Sequence, residues 1–589
     1  MQVRKFCLIA LTVVGLLVVV LPDGARPVAA QAQPPSHSAP VVAAAPPSPG
    51  VQGPFVGAPI PVSSFDGDVR QLPKPRQPAR SREAPPILHP RAANAPAPNT
   101  ALDPVRQTQM GTRQSPTPLQ NFAGLSFDGW YPPDTNGDVG PNNYIQAVNI
   151  AIGIYSKTGV LQATFSFNSL FSGGGGTGTP CDNSNYGDPI ALYDATVDRW
   201  LVADFAWSNP NGPFYECIAF SKTGNPVSGG WYLYAVLTGN SLFPDYPKFG
   251  VWSDGYYLSA NLFDSSNNSQ GARVWALNRS DMLNGASLHA VYFNVSSYYA
   301  GLLPSNLRGS TPPPSGEPEF FGSIDQNTNT FHLWKFHVDW STPTNSAFSG
   351  PTDLTVASFV MPCATAAISN CVPQPGVSSS YYLDSLGDRL MMQLQYRNIN
   401  GVESLWANHT VATSSSTGYP TGIRWYEIRN PNGSPYVYQQ GTFLPNDSNY
   451  RWMGSLAVDK SGDMALGYSI SSASMYPSIA YTGRLVGDPL GTLTEAETTL
   501  MAGTGSQSTN CNGVPCNRWG DYSAMTIDPT DDCTFWYTNE YYSTTGGIWQ
   551  TRIGSFQFAI PPSPSGTPVA GPYIYYFPII ARSAPATCY

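Results

Sequence analysis

One short pattern recurs along the chain and limits what it can fold into. A hydrophobic segment ends in Asp, a turn closes on Asp, Asn or Gly, and a second hydrophobic segment follows. The copies are Leu192-Tyr193-Asp194 to Asp198-Arg199-Trp200, Val251-Trp252-Ser253-Asp254-Gly255-Tyr256, Ile324-Asp325 to Asn329-Thr330-Phe331, Leu383-Asp384 to Asp388-Arg389-Leu390, Val458-Asp459 to Asp463-Met464, and Ile527-Asp528 to Asp532-Cys533. Val139-Gly140-Pro141 to Asn143-Tyr144-Ile145 is a looser first copy. Each reads as a β-hairpin whose Asp accepts turn N–H groups while Gly or Asn takes positive φ. Copies lie roughly 55–75 residues apart, long enough for a four-stranded sheet with its loops. Between residues 119 and 558 aromatic and β-branched runs alternate with Gly/Asn/Asp/Ser turns, and helical periodicity is almost absent. Only Leu490–Met501 looks helix-prone, and a loop turn is the other reading.

Seven copies of a four-stranded unit predict an all-β, seven-bladed β-propeller, with six or eight blades as variants. The last unit has only Thr534–Tyr541 and Gln550–Phe558 as further strands, so Gln120–Phe127 is expected to supply its missing outer strand. Two or three β-sandwiches are the competing architecture.

Flanking segments differ in kind. Arg4 and Lys5, the apolar run Phe6–Leu21, and small residues before Gln31 or Gln33 read as a secretory signal over residues 1–30, with an uncleaved anchor as the rival. Residues 31–118 are rich in Pro, Ala, Gln and Ser and read as a disordered spacer. Residues 559–589 form a second linker and an aromatic tail, Tyr573–Arg582, too short to span a membrane. The first 118 residues carry a net charge of +6 and the remainder −15. The spacer's Lys74, Arg76, Arg80, Arg82 and Arg91 either touch an anionic envelope or keep the spacer solvated. An overall charge of −9 excludes a nucleic-acid binder, and 11% charged residues argue against helical bundles. The expected product is extracellular or surface-associated and monomeric, without a membrane span after signal removal.

Cysteine usage fits export. Beyond Cys7, eight cysteines remain, an even set that points to disulfides. Short spacing favours Cys363–Cys371 and Cys511–Cys516, which leaves Cys181–Cys217 and Cys533–Cys588. Zinc at 511–516 is the rival reading, weakened by the absence of a nearby histidine.

Several long motifs look familiar. Pro132-Pro133-Asp134-Thr135-Asn136-Gly137-Asp138-Val139-Gly140-Pro141-Asn142, Gly187-Asp188-Pro189, Pro244-Asp245-Tyr246-Pro247-Lys248 and Arg518-Trp519-Gly520-Asp521-Tyr522-Ser523-Ala524-Met525 resemble a family of exported, largely uncharacterised bacterial proteins of β-propeller type. The match spans about residues 121–558. It implies export and fold, and brings no reaction or catalytic residue with it. The tail is similar to short Tyr-x-Pro-aliphatic-x-Arg endings on some exported bacterial proteins.

Candidate chemistry is sparse. Asp134, Asn136 and Asp138 space three oxygen ligands as calcium loops do, but Gly137 and Val139 break the EF-hand pattern and no twelfth-position carboxylate follows. A hydrogen-bonded turn is the alternative. Asp188, Asp245, Glu319 and Asp521 stand before hairpins and are expected to converge on one end of a central channel. There they would bind a ligand such as a cation, act as an acid/base pair on a glycosidic bond, or accept backbone N–H bonds from adjacent blades. Arg451-Trp452 and Arg518-Trp519 suit a sugar ring or an anionic group, or else inter-blade packing. His332 and His337, five apart on one strand, face opposite sides and make poor co-ligands. The reading that follows is an exported propeller binding a glycan or protein ligand at one end of the ring. A secreted polysaccharide hydrolase or lyase is the alternative.

Overall fold

First strands buried on both faces organise the molecule. In a computed structural model, residues 50–74, 103–558 (without 326–327, 364–369, 415–417 and 512) and 588 are described. All lie in one compact unit, Ala44–Tyr589, and the signal segment, the basic residues after Lys74 and the aromatic tail fall outside the described residues.

The chain is all-β. Sheet one comprises Asn136–Val139, Asn143–Val148, Ala151–Ser156 and Leu161–Ser166, paired antiparallel in that order. Sheets two and three begin with Ile190–Asp194 and Phe243–Val251, each followed by three antiparallel strands. Sheet four starts at Leu303–Leu307, which also pairs in parallel with Met391–Ile399, the first strand of sheet five. Sheet six starts at Tyr450–Val458 and sheet seven at Ala524–Ile527. Sheet seven runs Ala524–Ile527, Phe535–Tyr541, Gln550–Phe556 and then Gln120–Ser126, which pairs antiparallel as the outer strand. Each first strand packs against the next in sequence, and that of sheet seven packs against that of sheet one.

Burying a strand on both faces leaves edge N–H groups that must find acceptors. Polar side chains in otherwise apolar first strands supply them. Asn136 Oδ1 accepts from Ala191 N at 3.0 Å, and Asp138 Oδ2 from Tyr193 N at 2.8 Å. Asn306 Oδ1 accepts from Val251 N at 3.2 Å, Gln395 Oε1 from Val458 N at 2.6 Å, and Ser455 Oγ from Met525 N at 2.8 Å. Between the sheets, apolar side chains pack as separate clusters, such as the one joining sheets six and seven through Tyr481, Phe535, Tyr537 and Phe556. A Cβ on Gly467 would meet the Tyr537 ring at 2.5 Å, so glycine there permits the close approach of these two sheets.

Five of the seven hairpin copies join the first two strands of a sheet: those at Val139, Asp194, Asp254, Asp459 and Asp528. Turn amides bond to the acid as expected, with Thr196 N on Asp194 Oδ1 at 3.0 Å and Ser461 N on Asp459 Oδ1 at 2.8 Å. Two copies differ. The Asp325 turn joins the second and third strands of sheet four, because Leu303–Leu307 precedes it across a proline-rich connection. The Asp384 to Asp388 segment precedes sheet five, whose first hairpin turns instead at Asn400-Gly401.

The spacer reading also needs correction. Val51–Val56 pairs with Ala290–Val295 as a fifth strand of sheet three, and Val62–Phe65 with Trp231–Gly239 as a fifth strand of sheet two. Arg106–Gln107 pairs with the last strand of sheet five. A preformed edge supplies the hydrogen-bonding partners that these short segments cannot supply themselves. Leu490–Met501 forms no helix; its end, Thr498–Met501, is the outer strand of sheet six. Disulfides join Cys181–Cys217, Cys363–Cys371, Cys511–Cys516 and Cys533–Cys588. Among the described residues no helix is long and apolar enough to cross a membrane.

Candidate functional site

Where the chain enters sheets seven, one, two and three, acids from the sequence motifs meet. Asp134 and Asp188 each precede a first strand by two residues and hold left-handed backbone (φ 47° and 50°), as does Tyr246 (φ 57°) inside the first strand of sheet three. Such conformations cost energy and persist where surrounding structure holds them. Asp134 Oδ1 accepts from Asp521 N and Oδ2 from Asn149 Nδ2, both at 2.7 Å. Asn149 Oδ1 accepts from Asp188 N at 2.9 Å, and Asp188 Oδ2 from Tyr246 N at 3.1 Å. A continuous line of side chains therefore ties four consecutive sheets together. Asp521 pairs with Arg518. The other oxygen of Asp188 makes no hydrogen bond among the described residues.

Charge at this end is unbalanced. Buried with these acids are Asp204, Glu216, Asp245 and Glu540, against the buried Lys248 and Arg389 and the partly exposed Arg518, and Arg389 is itself paired with Asp388 at 2.7 Å. Among the described residues, neither carboxyl oxygen of Asp245 or of Glu540 has a hydrogen-bond partner. Burial pushes Asp188, Asp204, Glu216 and Glu540 well above the usual carboxylate range. For Asp188 the neighbouring Asp134 and Asp245 add to the effect. Burial also raises Asp245 to about 6, against the pull of Arg389, Arg518 and Lys248. Lys248 is lowered to about 7 by burial, its Nζ lying 3.4 Å from the Tyr246 ring centre and 4.1 Å from that of Tyr522. Burial thus works against the ionised form of these carboxyls, and a cation placed beside them would favour it.

A cavity of about 30 Å³ opens beside Asp134, Asp188, Arg518 and Asp521. Its walls include Trp130, Tyr186, Trp207 and Phe243. Tyr186 stacks on Trp207 with ring centres 3.8 Å apart, Trp130 meets Tyr186 edge-on at 6.2 Å, and Phe243 meets Trp207 edge-on at 5.4 Å. The space admits one or two waters, or one polar group of a larger ligand.

Other predicted residues go elsewhere. Glu319 stands on the second strand of sheet four, where its Oε1 accepts from Ser305 Oγ at 3.0 Å, away from the acids with which it was expected to converge. Arg451 is buried and bonded to both Asp447 and Glu497, leaving no guanidinium face for a ligand. Trp452 and Trp519 pack edge to face at 5.7 Å in the interior, and Trp519 Nε1 donates to Ser469 Oγ at 3.0 Å, so neither offers a sugar platform. The calcium reading of Asp134, Asn136 and Asp138 fails on geometry. Asn136 and Asp138 lie in a strand with oxygens taken by the next sheet, and Asp138 also holds Thr526 Oγ1 at 2.6 Å and Arg308 at 2.5 Å. No group of three or more His, Cys, Asp or Glu that could hold a metal occurs among the described residues. His332 is buried against Asp353, and His337 is exposed at the strand end.

Trp130, Tyr186, Trp207, Glu216 and Glu540 were not singled out from sequence. A usable signal existed for the two glutamates. Each is the single charged residue of a buried strand, Phe214–Ser221 and Phe535–Tyr541. The aromatic walls had none, because most tryptophans of this chain are core.

No family model matches the chain, and no curated protein does. Among solved structures it is similar to an α-L-arabinofuranosidase from Fusarium graminearum (8% identity, 76% of this chain and 98% of that one, TM-score 0.28). It is also similar to an α-L-arabinanase from Penicillium chrysogenum (9%, 75% and 99%, TM-score 0.32) and to the sialidase of Trypanosoma rangeli (8%, 64% and 58%, TM-score 0.33). Similarity at this level carries no argument about substrate or reaction.

Proposed function

We propose that the seven sheets are blades of a closed seven-bladed β-propeller and that the exported protein binds carbohydrate where the chain enters sheets seven, one, two and three. Cyclic packing of the first strands and the outer strand Gln120–Ser126 support closure. Four disulfides and the motif resemblance support export. One observation carries the ligand reading: aromatic rings and carboxyls share a single small cavity. Sugars present apolar C–H faces beside hydroxyls, and such mixed walls fit both.

Hydrolysis of a glycosidic bond is the second reading. It is favoured by buried carboxyls pushed upward by desolvation close to others that accept hydrogen bonds, the division of labour an acid/base pair needs. A panel of soluble oligosaccharides tests both readings, with binding read by calorimetry and bond cleavage by new reducing ends. Binding is expected, and Tyr186→Ala should weaken it at least tenfold with the melting temperature little changed. Absence of binding across the panel, or unchanged affinity in the variant, would overturn the carbohydrate reading. Cleavage lost in Asp188→Asn would establish the second.

A further inference from the structure

We propose that the cavity takes the ammonium group of an amino sugar, so that the glycan bound here is built from unacetylated hexosamine. This rests on the carbohydrate reading above and narrows it.

Charge is the first reason. The cavity wall carries Asp134, Asp188 and Asp521 against Arg518, which is engaged with Asp521. Behind that wall the excess of acid continues, and among the described residues Lys248 and Arg389 are set against it. A bound cation would relieve this imbalance and a bound carboxylate would worsen it. Geometry is the second. Asp188, only 5% exposed, gives one carboxyl oxygen to Tyr246 N, and among the described residues the other accepts no hydrogen bond. Around it stand the rings of Trp130, Tyr186 and Trp207, whose faces attract an ammonium. Size is the third: about 30 Å³ suits a single small group such as an ammonium.

One further contact separates an amino sugar from a simple alkylammonium. Trp130 is 6% exposed, and its Nε1–H has no acceptor among the described residues. A donor left unpaired in a wall of the cavity would gain from a ligand oxygen close to the cation. The hydroxyl beside the amine of a hexosamine provides one, and an acetylated amine would lose the charge and overfill the space. Groups facing Asp188 from the surrounding strands are Asp134, Asp204, Glu216, Asp245, Lys248, Arg518, Tyr246 and Tyr522. Burial holds the Asp188 carboxyl well above its ordinary range, so seating an ammonium beside it should expel a proton.

The test compares three oligomers of equal length by calorimetry on the full chain at pH 6: glucosamine, N-acetylglucosamine and glucose. The glucosamine oligomer should bind at least tenfold tighter than the other two. Its heat should differ between buffers of different ionisation enthalpy, revealing proton release. Asp188→Asn should erase the preference, and Trp130→Phe, which keeps the ring and removes the N–H, should weaken glucosamine binding about fivefold. Trp130→Phe serves if the Asp188 variant fails to fold. Equal affinity for all three oligomers would overturn the inference while leaving the carbohydrate reading intact. Binding of none would overturn both, and unchanged preference in both variants would place the amine elsewhere.

Discussion

Asp138 offers the sharpest perturbation of the framework. It is fully buried and accepts from Tyr193 N at 2.8 Å in sheet two, Thr526 Oγ1 at 2.6 Å in sheet seven, and Arg308 Nη2 at 2.5 Å beyond the first strand of sheet four. Replacing it by alanine strands a buried guanidinium, whose remaining bond to Tyr193 O is 3.5 Å long, and an unpaired amide. Breaking a buried ion pair from one side costs about 3–5 kcal/mol. Unfolding entropy of roughly 2 cal/mol/K per residue amounts to about 1 kcal/mol/K over the folded residues of a chain this size, so the melting temperature should fall by about 3–5 °C. Asp138→Asn keeps some acceptor capacity and should fall at the lower end. The double variant Asp138→Ala/Arg308→Met should recover part of the loss, because the uncompensated charge is gone. Scanning calorimetry with and without EDTA reads all three. A melting temperature unchanged in Asp138→Asn, together with a wild type that EDTA destabilises, would refute the reasoning and return the triplet to calcium.

Asp245 should give a pH-dependent effect of known sign. Its folded pKa, about 6, stands above the unfolded value, so the folded state holds more protons between about pH 4 and 6 and loses stability as pH rises through that window. Asp245→Asn should therefore be more stable than wild type at pH 7, by up to roughly 3 kcal/mol, with the gain gone at pH 4. A gain equal at both pH values would contradict it. Removing residues 1–74 should lower the melting temperature and promote self-association seen by light scattering, because the edges Ala290–Val295 and Trp231–Gly239 lose their strand partners. Unchanged behaviour would mean those pairings contribute nothing. Thiol labelling of denatured, unreduced protein lacking the signal should find no free cysteine, and two or more labelled residues would break the fully paired framework.

Much of the architecture was legible because hairpin turns are local chemistry. Asp194, Asp459 and Asp528 bond to amides only two residues away, so spacing alone locates them. Leu303–Leu307 was hidden because its proline-rich connection does not look like a turn, and Val51–Val56 because a strand added to an existing edge needs little hydrophobicity of its own. At the site, Asp188, Asp245 and Asp521 were visible as acids set before hairpins. Their environment was not. Whether a carboxyl serves an amide of the next sheet, as Asp134 does, or keeps an oxygen free, as Asp188 does, depends on contacts across long separations. Arg451 shows the converse: its neighbour in sequence is Trp452, but its partners are Asp447 and Glu497, the latter 46 residues away.

The most direct measurement is a crystal structure of the full chain soaked with a glucosamine oligomer. The expected result is sugar density at the end formed by sheets seven, one, two and three, with an amine nitrogen within hydrogen-bond distance of Asp188 and ring contacts to Trp130 and Tyr186. An empty cavity, with sugar bound on another face of the molecule, would contradict it.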